Sequence, residues 1–350
     1  MTATPSFPLS RHLLEGHVIP ALPLALTTQR RWDEVHQRAL VRYYLDAGVG
    51  GLAVGVHSTQ FAIRDPGIAL YAPVLRLAAD TVRQWRPDRS GSCMLVAGLC
   101  GRTPQALAEA DTALGLGYHS GLLSLGAWSE APEPEILEHC RAVARRIPLI
   151  GFYLQKAVGG REFSYRFWRE FAEIPGLVAI KMAPFNRYQT LDVVRAVCEA
   201  GRDDVALYTG NDDNIVTDLL TPFVFAGRRR FISGGLLGQW GVWTERAVTL
   251  LQEIKRARAT AQIDVTWWTR NAQLTDANAA IFDPAHGFAG CIPGIHEILR
   301  RQGLLASTAC LDPHETLSPG QADELTRVSA AYSWLVDDAF VGRNLQRWLS

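Results

Sequence analysis

The sequence predicts an α/β fold: a closed (β/α)8 TIM barrel followed by a C-terminal helical region. Three observations predict it. From about residue 17 to 256, short and nearly continuous apolar runs alternate with amphipathic stretches. That pattern belongs to a parallel sheet buried on both faces. Eight such units fill about 240 residues, the usual size of a barrel of this type. No GxGxxG follows the first run, so an open dinucleotide-binding sheet has little support.

The eight runs are HVIPALPLAL (17–26), GLAVG (51–55), CMLVAGL (93–99), SGLLSLG (120–126), PLIGFYL (148–154), LVAIKMA (177–183), VALYTG (205–210) and RFISGG (230–235). Stretches such as DEVHQRALVRYYLDAG, PQALAEADTALGLG, PEILEHCRAVARR and LDVVRAVCEAG lie between them and carry helical periodicity. WTERAVTLLQEIKRARAT reads as the eighth barrel helix. Beyond it, GCIPGIHEILRRQGL and SPGQADELTRVSAAYSWLV predict further helices packed on the barrel. The expected division is residues 1–256 for the barrel and its site, and 257–350 for the helical region. No Pro/Gly/Ser linker marks a free second domain.

The 350 residues carry 35 basic and 35 acidic side chains, a net charge of zero. A general nucleic-acid binder needs a basic surface, so that class is disfavoured. No apolar run reaches the roughly 18–20 residues that span a bilayer, so no membrane partner is expected. MTATPSFPLSRHLLEG lacks a basic region followed by an apolar one, which predicts a cytoplasmic protein. The cysteines at 93, 100, 140, 198, 291 and 310 form no CxxC pair. They read as buried reduced thiols rather than a disulfide framework or a zinc site. Lysine occurs only at 156, 181 and 255, leaving 32 arginines and few candidates for lysine chemistry.

In such a barrel the active site lies at the C-terminal strand ends. In LVAIKMA, period-two alternation puts Leu177, Ala179 and Lys181 on one face, opposite Val178, Ile180 and Met182. The branched face suits the outer helices, which points Lys181 into the barrel. Desolvation there favours the neutral amine, which can attack a carbonyl and form a Schiff base. Equally open is a lysine paired with an interior carboxylate or reaching solvent at the mouth. Tyr153 ends the fifth run and could move protons beside that lysine, or could simply fill the mouth.

These segments resemble the dihydrodipicolinate synthase / N-acetylneuraminate lyase family of Schiff-base barrels. IPALPLALTTQRRWDEVHQRALVRYYLDAGVGGLAVG is similar to the family start, GFYLQKAVGG to its Tyr-Asn-x-Pro motif and LVAIKMA to its Schiff-base strand. Tyr153 and Lys181 stand 28 positions apart, as the family's pair does. YTGNDD resembles its Gly-Asp-Asp segment, and Gly210 would line the substrate site. The resemblance implies a class I aldolase or lyase acting on pyruvate or another 2-keto acid. The resemblance also implies that it would need no cofactor or metal and would work as a cytoplasmic homo-oligomer, a tetramer or a dimer.

Departures from the family pattern bear on the substrate. The family's Gly-Thr-Thr-Gly-Glu, which holds a keto-acid carboxylate, is replaced by Gly55-Val56-His57-Ser58-Thr59-Gln60. Ser58 and Thr59 match its hydroxyl pair best. His57 either touches substrate or makes a local hydrogen bond. Ala127 and Trp128 occupy the positions of two tyrosines, the second of which reaches a subunit interface in relatives. Val158 stands where an arginine binds the second substrate's carboxylate, with Arg161 the nearest arginine. Lys156 replaces a proline and either binds a substrate anion or sits solvated. SGGLLGQWG could offer amides to a phosphate. Asn211, Asp212 and Asp213 could suggest a metal, although an aspartate capping the next helix is the plainer reading. A dehydratase or decarboxylase using the same imine, and a silent keto-acid-binding barrel, are the competing functions.

Overall fold

The computed structural model describes residues 7–85, 92–260 and 262–350. Part of the N-terminal segment read for a signal, residues 1–6, lies outside them. Eight parallel strands form the barrel: β1 (Val18–Pro20), β2 (Gly51–Val54), β3 (Met94–Leu99), β4 (Ser120–Leu123), β5 (Leu149–Leu154), β6 (Leu177–Ala183), β7 (Ala206–Thr209) and β8 (Gly234–Leu237). Each pairs with its sequence neighbour from β2 to β8, and β8 pairs with β1. A bridge between Ala21 and Ala53 closes the ring, with the Leu22 amide donating to the Ala53 carbonyl at 2.8 Å.

Helices on the outside are α2 (Glu34–Ala47), α3 (Tyr71–Trp85), α4 (Thr103–Gly115), α5 (Glu133–Ala144), α6 (Tyr165–Ala172), α7 (Arg187–Glu199), α8 (Ile215–Leu220) and α9 (Thr244–Arg258). A preceding helix, α1 (Leu9–Glu15), closes the N-terminal end. Its Leu13 packs with the inward barrel residues Ile19, Met94, Ala179 and Tyr208. The C-terminal region adds α10 (Thr266–Phe282), α11 (Cys291–Arg301), α12 (Gln321–Ala331) and α13 (Asp338–Leu349). These join the same core as the outer barrel layer. On α13, Trp348 donates to Asp46 Oδ2 at 2.8 Å and its carbonyl accepts from Arg42, fastening the helix to α2. Among the described residues no helix is long and apolar enough to cross a membrane.

Two strand assignments change. The first run contributes only Val18–Pro20, since Pro20 and Pro23 have no N–H for a ladder. The eighth strand is Gly234–Leu237 rather than residues 230–235. Three successive arginines cannot be buried on both faces of a sheet. Arg228–Arg230 instead pairs with Phe223–Phe225 in a small antiparallel hairpin outside the barrel. The Gly-Gly-Leu-Leu of SGGLLGQWG is therefore a barrel strand, and the Gly235 amide donates to the His17 carbonyl instead of facing a phosphate.

Candidate active site

Lys181 enters the barrel because β6 alternates. Ala179 and Ala183 share its inner face, while Ile180 and Met182 pack in the outer layer. Leu177 does not share that face, contrary to simple alternation. Between Leu149–Leu177 and Ile150–Ala179 the pairing skips Val178, and this bulge turns Leu177 outward. Lys181 is 9% exposed, its Nζ sits 4.4 Å from the Phe152 ring centroid, and it has no hydrogen-bond or ion-pair partner among the described residues. Its stem fits because position 210 is glycine: a Cβ there would come within 2.5 Å of the Lys181 Cε. Burial pulls the ammonium's pKa below the usual lysine value, opposed by the negative charge of Asp212. The site therefore shifts Lys181 toward the nucleophilic free amine.

Asp212 reaches the same cavity through the same alternation, continued past β7. Tyr208 points inward, and Gly210 and Asp212 follow at two-residue steps. Asn211 points the other way. It accepts from the Phe185 amide at 3.0 Å and donates to Asp218 at 2.9 Å and Thr190 at 3.2 Å. Asp212 Oδ1 accepts from the Gln239 amide at 3.3 Å, and Asn278 of α10 donates to its carbonyl at 2.6 Å. Burial raises the Asp212 pKa, with Lys181 pulling it back. Asn211, Asp212 and Asp213 thus do not converge as a metal cradle, and Asp213 lies 3.6 Å from Arg187. Asn214, not an aspartate, stands at the N-cap of α8. The one His/Asp/Glu/Cys grouping close enough to hold a metal among the described residues is His12, Glu15 and His17, at the opposite barrel end.

After β2, Gly55 adopts φ +77°, a backbone that favours glycine, and turns the chain into a short 3-10 segment, His57–Thr59. Thr59 is fully buried and holds this turn together. Its hydroxyl donates to the Leu22 carbonyl at 2.7 Å and accepts from the Gly55 amide at 3.0 Å. The expected role for Thr59 as a carboxylate ligand is therefore corrected. Ser58 does line the cavity, but its hydroxyl hydrogen goes to the Ala21 carbonyl at 3.0 Å. The His57 and Ser58 amides open the turn and have no acceptor among the described residues. The His57 ring faces the cavity with no side-chain hydrogen bond, so the local-bond reading does not hold. Burial, reinforced by the Lys181 charge, lowers its pKa to about 4 and leaves the imidazole neutral.

Tyr153 is not beside the lysine. The Val178 bulge shifts β5 against β6 by one residue, pairing Phe152 with Lys181 and Tyr153 with Met182. Tyr153 faces the outer layer, 4.8 Å from the Trp168 ring, and its hydroxyl accepts from the Phe163 amide at 3.4 Å. Lys156 is 68% exposed and pairs with Glu162 at 3.4 Å, outside the cavity lining. Trp128 stacks on His139 at 4.6 Å and under Arg102 at 4.2 Å within its own chain. Arg161 donates to the carbonyls of Trp128 and Ala131.

The cavity above Lys181 encloses about 660 Å³, part of it open to solvent. Besides residues named above, Phe185, Phe282, Phe288 and Ile295 line it, the last three from the C-terminal region. Phe185 and Phe288 hold φ of +52° and +70°, a conformation that costs a non-glycine residue about 1–2 kcal/mol. Sequence reasoning missed these aromatics. Asp212 was legible through the two-residue step from Tyr208; the C-terminal ones depend on how α10 and α11 dock.

A closed eight-stranded barrel with an unpaired interior lysine at its C-terminal end defines the class. No family model matches the chain. A 4-hydroxy-tetrahydrodipicolinate synthase from Cyanothece sp. is 27% identical over 196 residues, 55% of this chain and 60% of that enzyme. The match thus spans about three-fifths of the curated relative's length. The dihydrodipicolinate synthase of Oceanobacillus iheyensis superposes with a TM-score of 0.73 at 17% identity, covering 93% of this chain and 98% of that one. N-acetylneuraminate lyase from Fusobacterium nucleatum gives 0.71 at 17% identity, over 93% and 100%. These likenesses show that the chain shares the fold of the dihydrodipicolinate synthase and N-acetylneuraminate lyase barrels.

Proposed function

We propose that the protein is a class I lyase or aldolase that binds pyruvate, or a 2-keto acid containing that unit, as a Schiff base on Lys181. The observation that carries this reading is a buried, unpaired amine whose pKa is lowered by desolvation, at the strand ends of a barrel. The Lys181 Nζ attacks the C2 carbonyl and water leaves, giving an iminium. That iminium accepts the electron pair when the C3–C4 bond of a 4-hydroxy-2-keto acid breaks. C4 departs as an aldehyde, the resulting enamine takes a proton at C3, and water releases pyruvate. The free amides of His57 and Ser58 are suited to the carboxylate. Asp212, whose raised pKa lets it hold a proton nearer neutrality, is the acid–base group in place of Tyr153. A cytoplasmic homo-oligomer is part of the same reading and rests on the resemblance; Trp128 lends it no support.

Borohydride reduction in the presence of pyruvate, read by intact mass, tests the proposal. One stable adduct is expected, lost in Lys181→Arg. No adduct with any 2-keto acid would overturn the lyase reading and leave a keto-acid-binding barrel in its place.

A further inference from the structure

Deepening the Schiff-base reading and resting on it, we infer that the arm beyond the reacting carbon is apolar: an aryl or alkyl chain without a second charge. The reacting end of the cavity holds the polar groups Lys181, Asp212, His57 and Ser58. The rest of its lining is mostly apolar, with Leu154, Val158, Phe185, Phe282, Phe288 and Ile295, and only Gln155 and the Cys291 thiol add polar atoms to it. No arginine lines it, although the chain has 32 and the mouth loops carry several. The first two basic groups after β5 are engaged elsewhere, Lys156 with Glu162 and Arg161 with the carbonyls of Trp128, Ala131 and Glu162. A carboxylate or polyhydroxylated arm would shed its water here without replacement partners.

The aromatic wall is held in place. Phe185 and Phe288 meet edge to face at 5.9 Å, both with positive φ. Asn211 Oδ1 fixes the Phe185 amide at 3.0 Å, and the Phe288 amide donates to the Asp283 carbonyl at 2.9 Å. Bulky rings carried on a backbone conformation that glycine prefers point to placement of those rings toward the cavity. In chemical terms the preferred reaction joins pyruvate to an aryl or alkyl aldehyde, or cleaves the corresponding 4-hydroxy-2-keto acid. The atoms and electron pairs balance as in the imine cycle above.

The test separates arm recognition from imine formation. Binding of 2-oxo-4-phenylbutanoate and of 2-oxoadipate is measured by calorimetry on Lys181→Met, which cannot form an imine. The phenyl acid is expected to bind at least about tenfold tighter, and Phe288→Arg in that background should reverse the order. Equal or tighter binding of 2-oxoadipate would overturn the inference, whatever the wild-type protein does with borohydride. Wild-type turnover of pyruvate with benzaldehyde or hexanal should exceed that with succinic semialdehyde or glyceraldehyde by about 100-fold in kcat/KM. A preference for the charged or hydroxylated aldehyde also overturns it. Failure of pyruvate trapping, with the binding order retained, would overturn the lyase reading alone.

Discussion

Both ends of the barrel remove a lysine and histidines from water, but they use them differently. At the N-terminal end the polar groups fasten the plug. Lys255 donates to the Gly16 carbonyl at 2.6 Å, His12 to the Gly50 carbonyl at 2.6 Å, and His119 accepts from the Leu95 amide at 2.9 Å. At the C-terminal end Lys181 and His57 have no such partners and face a cavity. A buried polar group with its bonds made is structure; one left unbonded beside a cavity is available for chemistry. Of the His12, Glu15 and His17 grouping, His12 belongs to the first kind, while His17 Nε2 is buried without a hydrogen bond and its ring stacks on His12 at 3.9 Å. Burial lowers the pKa of both histidines, the Lys255 charge lowers them further, and the Glu15 carboxylate opposes the shift.

Exchanging the two lysines gives the largest contrast. Lys181→Arg should abolish borohydride-dependent mass addition and turnover, because guanidinium stays protonated and is no nucleophile. Lys255→Met should leave the adduct intact and lower unfolding stability by about 1.5–3 kcal/mol, the range for a hydrogen bond to a charged group. Chemical denaturation reads the second effect. Adduct formation surviving in Lys181→Arg would dissolve the distinction between the two ends.

Asp212→Asn comes next. The adduct should still form, while turnover falls by about 100- to 10,000-fold if Asp212 moves the protons. The pH profile supplies the sign. Imine formation needs the free amine, so its rate rises with pH through the Lys181 pKa. The Asp212 carboxylate favours the ammonium form, and removing it should move that acid limb to lower pH. A limb moving upward would show that Asp212 does not act on Lys181.

Gly210→Ala sharpens the steric side. A Cβ placed 2.5 Å from the Lys181 Cε and 2.8 Å from the Ala183 Cβ must displace the lysine stem. Overpacking of this kind costs about 1–3 kcal/mol, and adduct formation should slow well before folding fails. Stopped trapping at fixed pyruvate, compared with melting temperature, separates the two effects.

Much of the barrel was legible because near-continuous apolar runs and helical periodicity leave few alternatives. The interior lysine was legible for the same reason, since Ile180 and Met182 claim the outer face. What failed was register. The spacing of 28 residues pairs Tyr153 with Lys181 in an unbroken ladder, and one extra residue, Val178, moves Phe152 into that place. No residue-type signal marks that bulge. Hydroxyls also misled: Ser58 and Thr59 look like ligands until the carbonyls of Ala21 and Leu22 take their hydrogens. The cavity's far wall was illegible because Phe282 and Ile295 come from α10 and α11, and Phe288 from the turn between them, whose docking no local pattern encodes.

Tyr153→Phe carries the smallest expected effect and separates the two registers most cleanly. If Tyr153 faced Lys181 as its acid–base group, losing the hydroxyl would slow proton transfer by about 100- to 10,000-fold. Its ring is instead enclosed by Trp168 and Phe163, and burial raises the phenol's pKa to about 12, so it holds its proton at working pH. The hydroxyl's contact with protein backbone is acceptance from the Phe163 amide. Losing it should cost about 0.5–1.5 kcal/mol of stability and leave kcat within about twofold. Steady-state kinetics alongside urea unfolding reads both. A large loss of kcat with unchanged stability would place Tyr153 on the inner face and remove the bulge from β6.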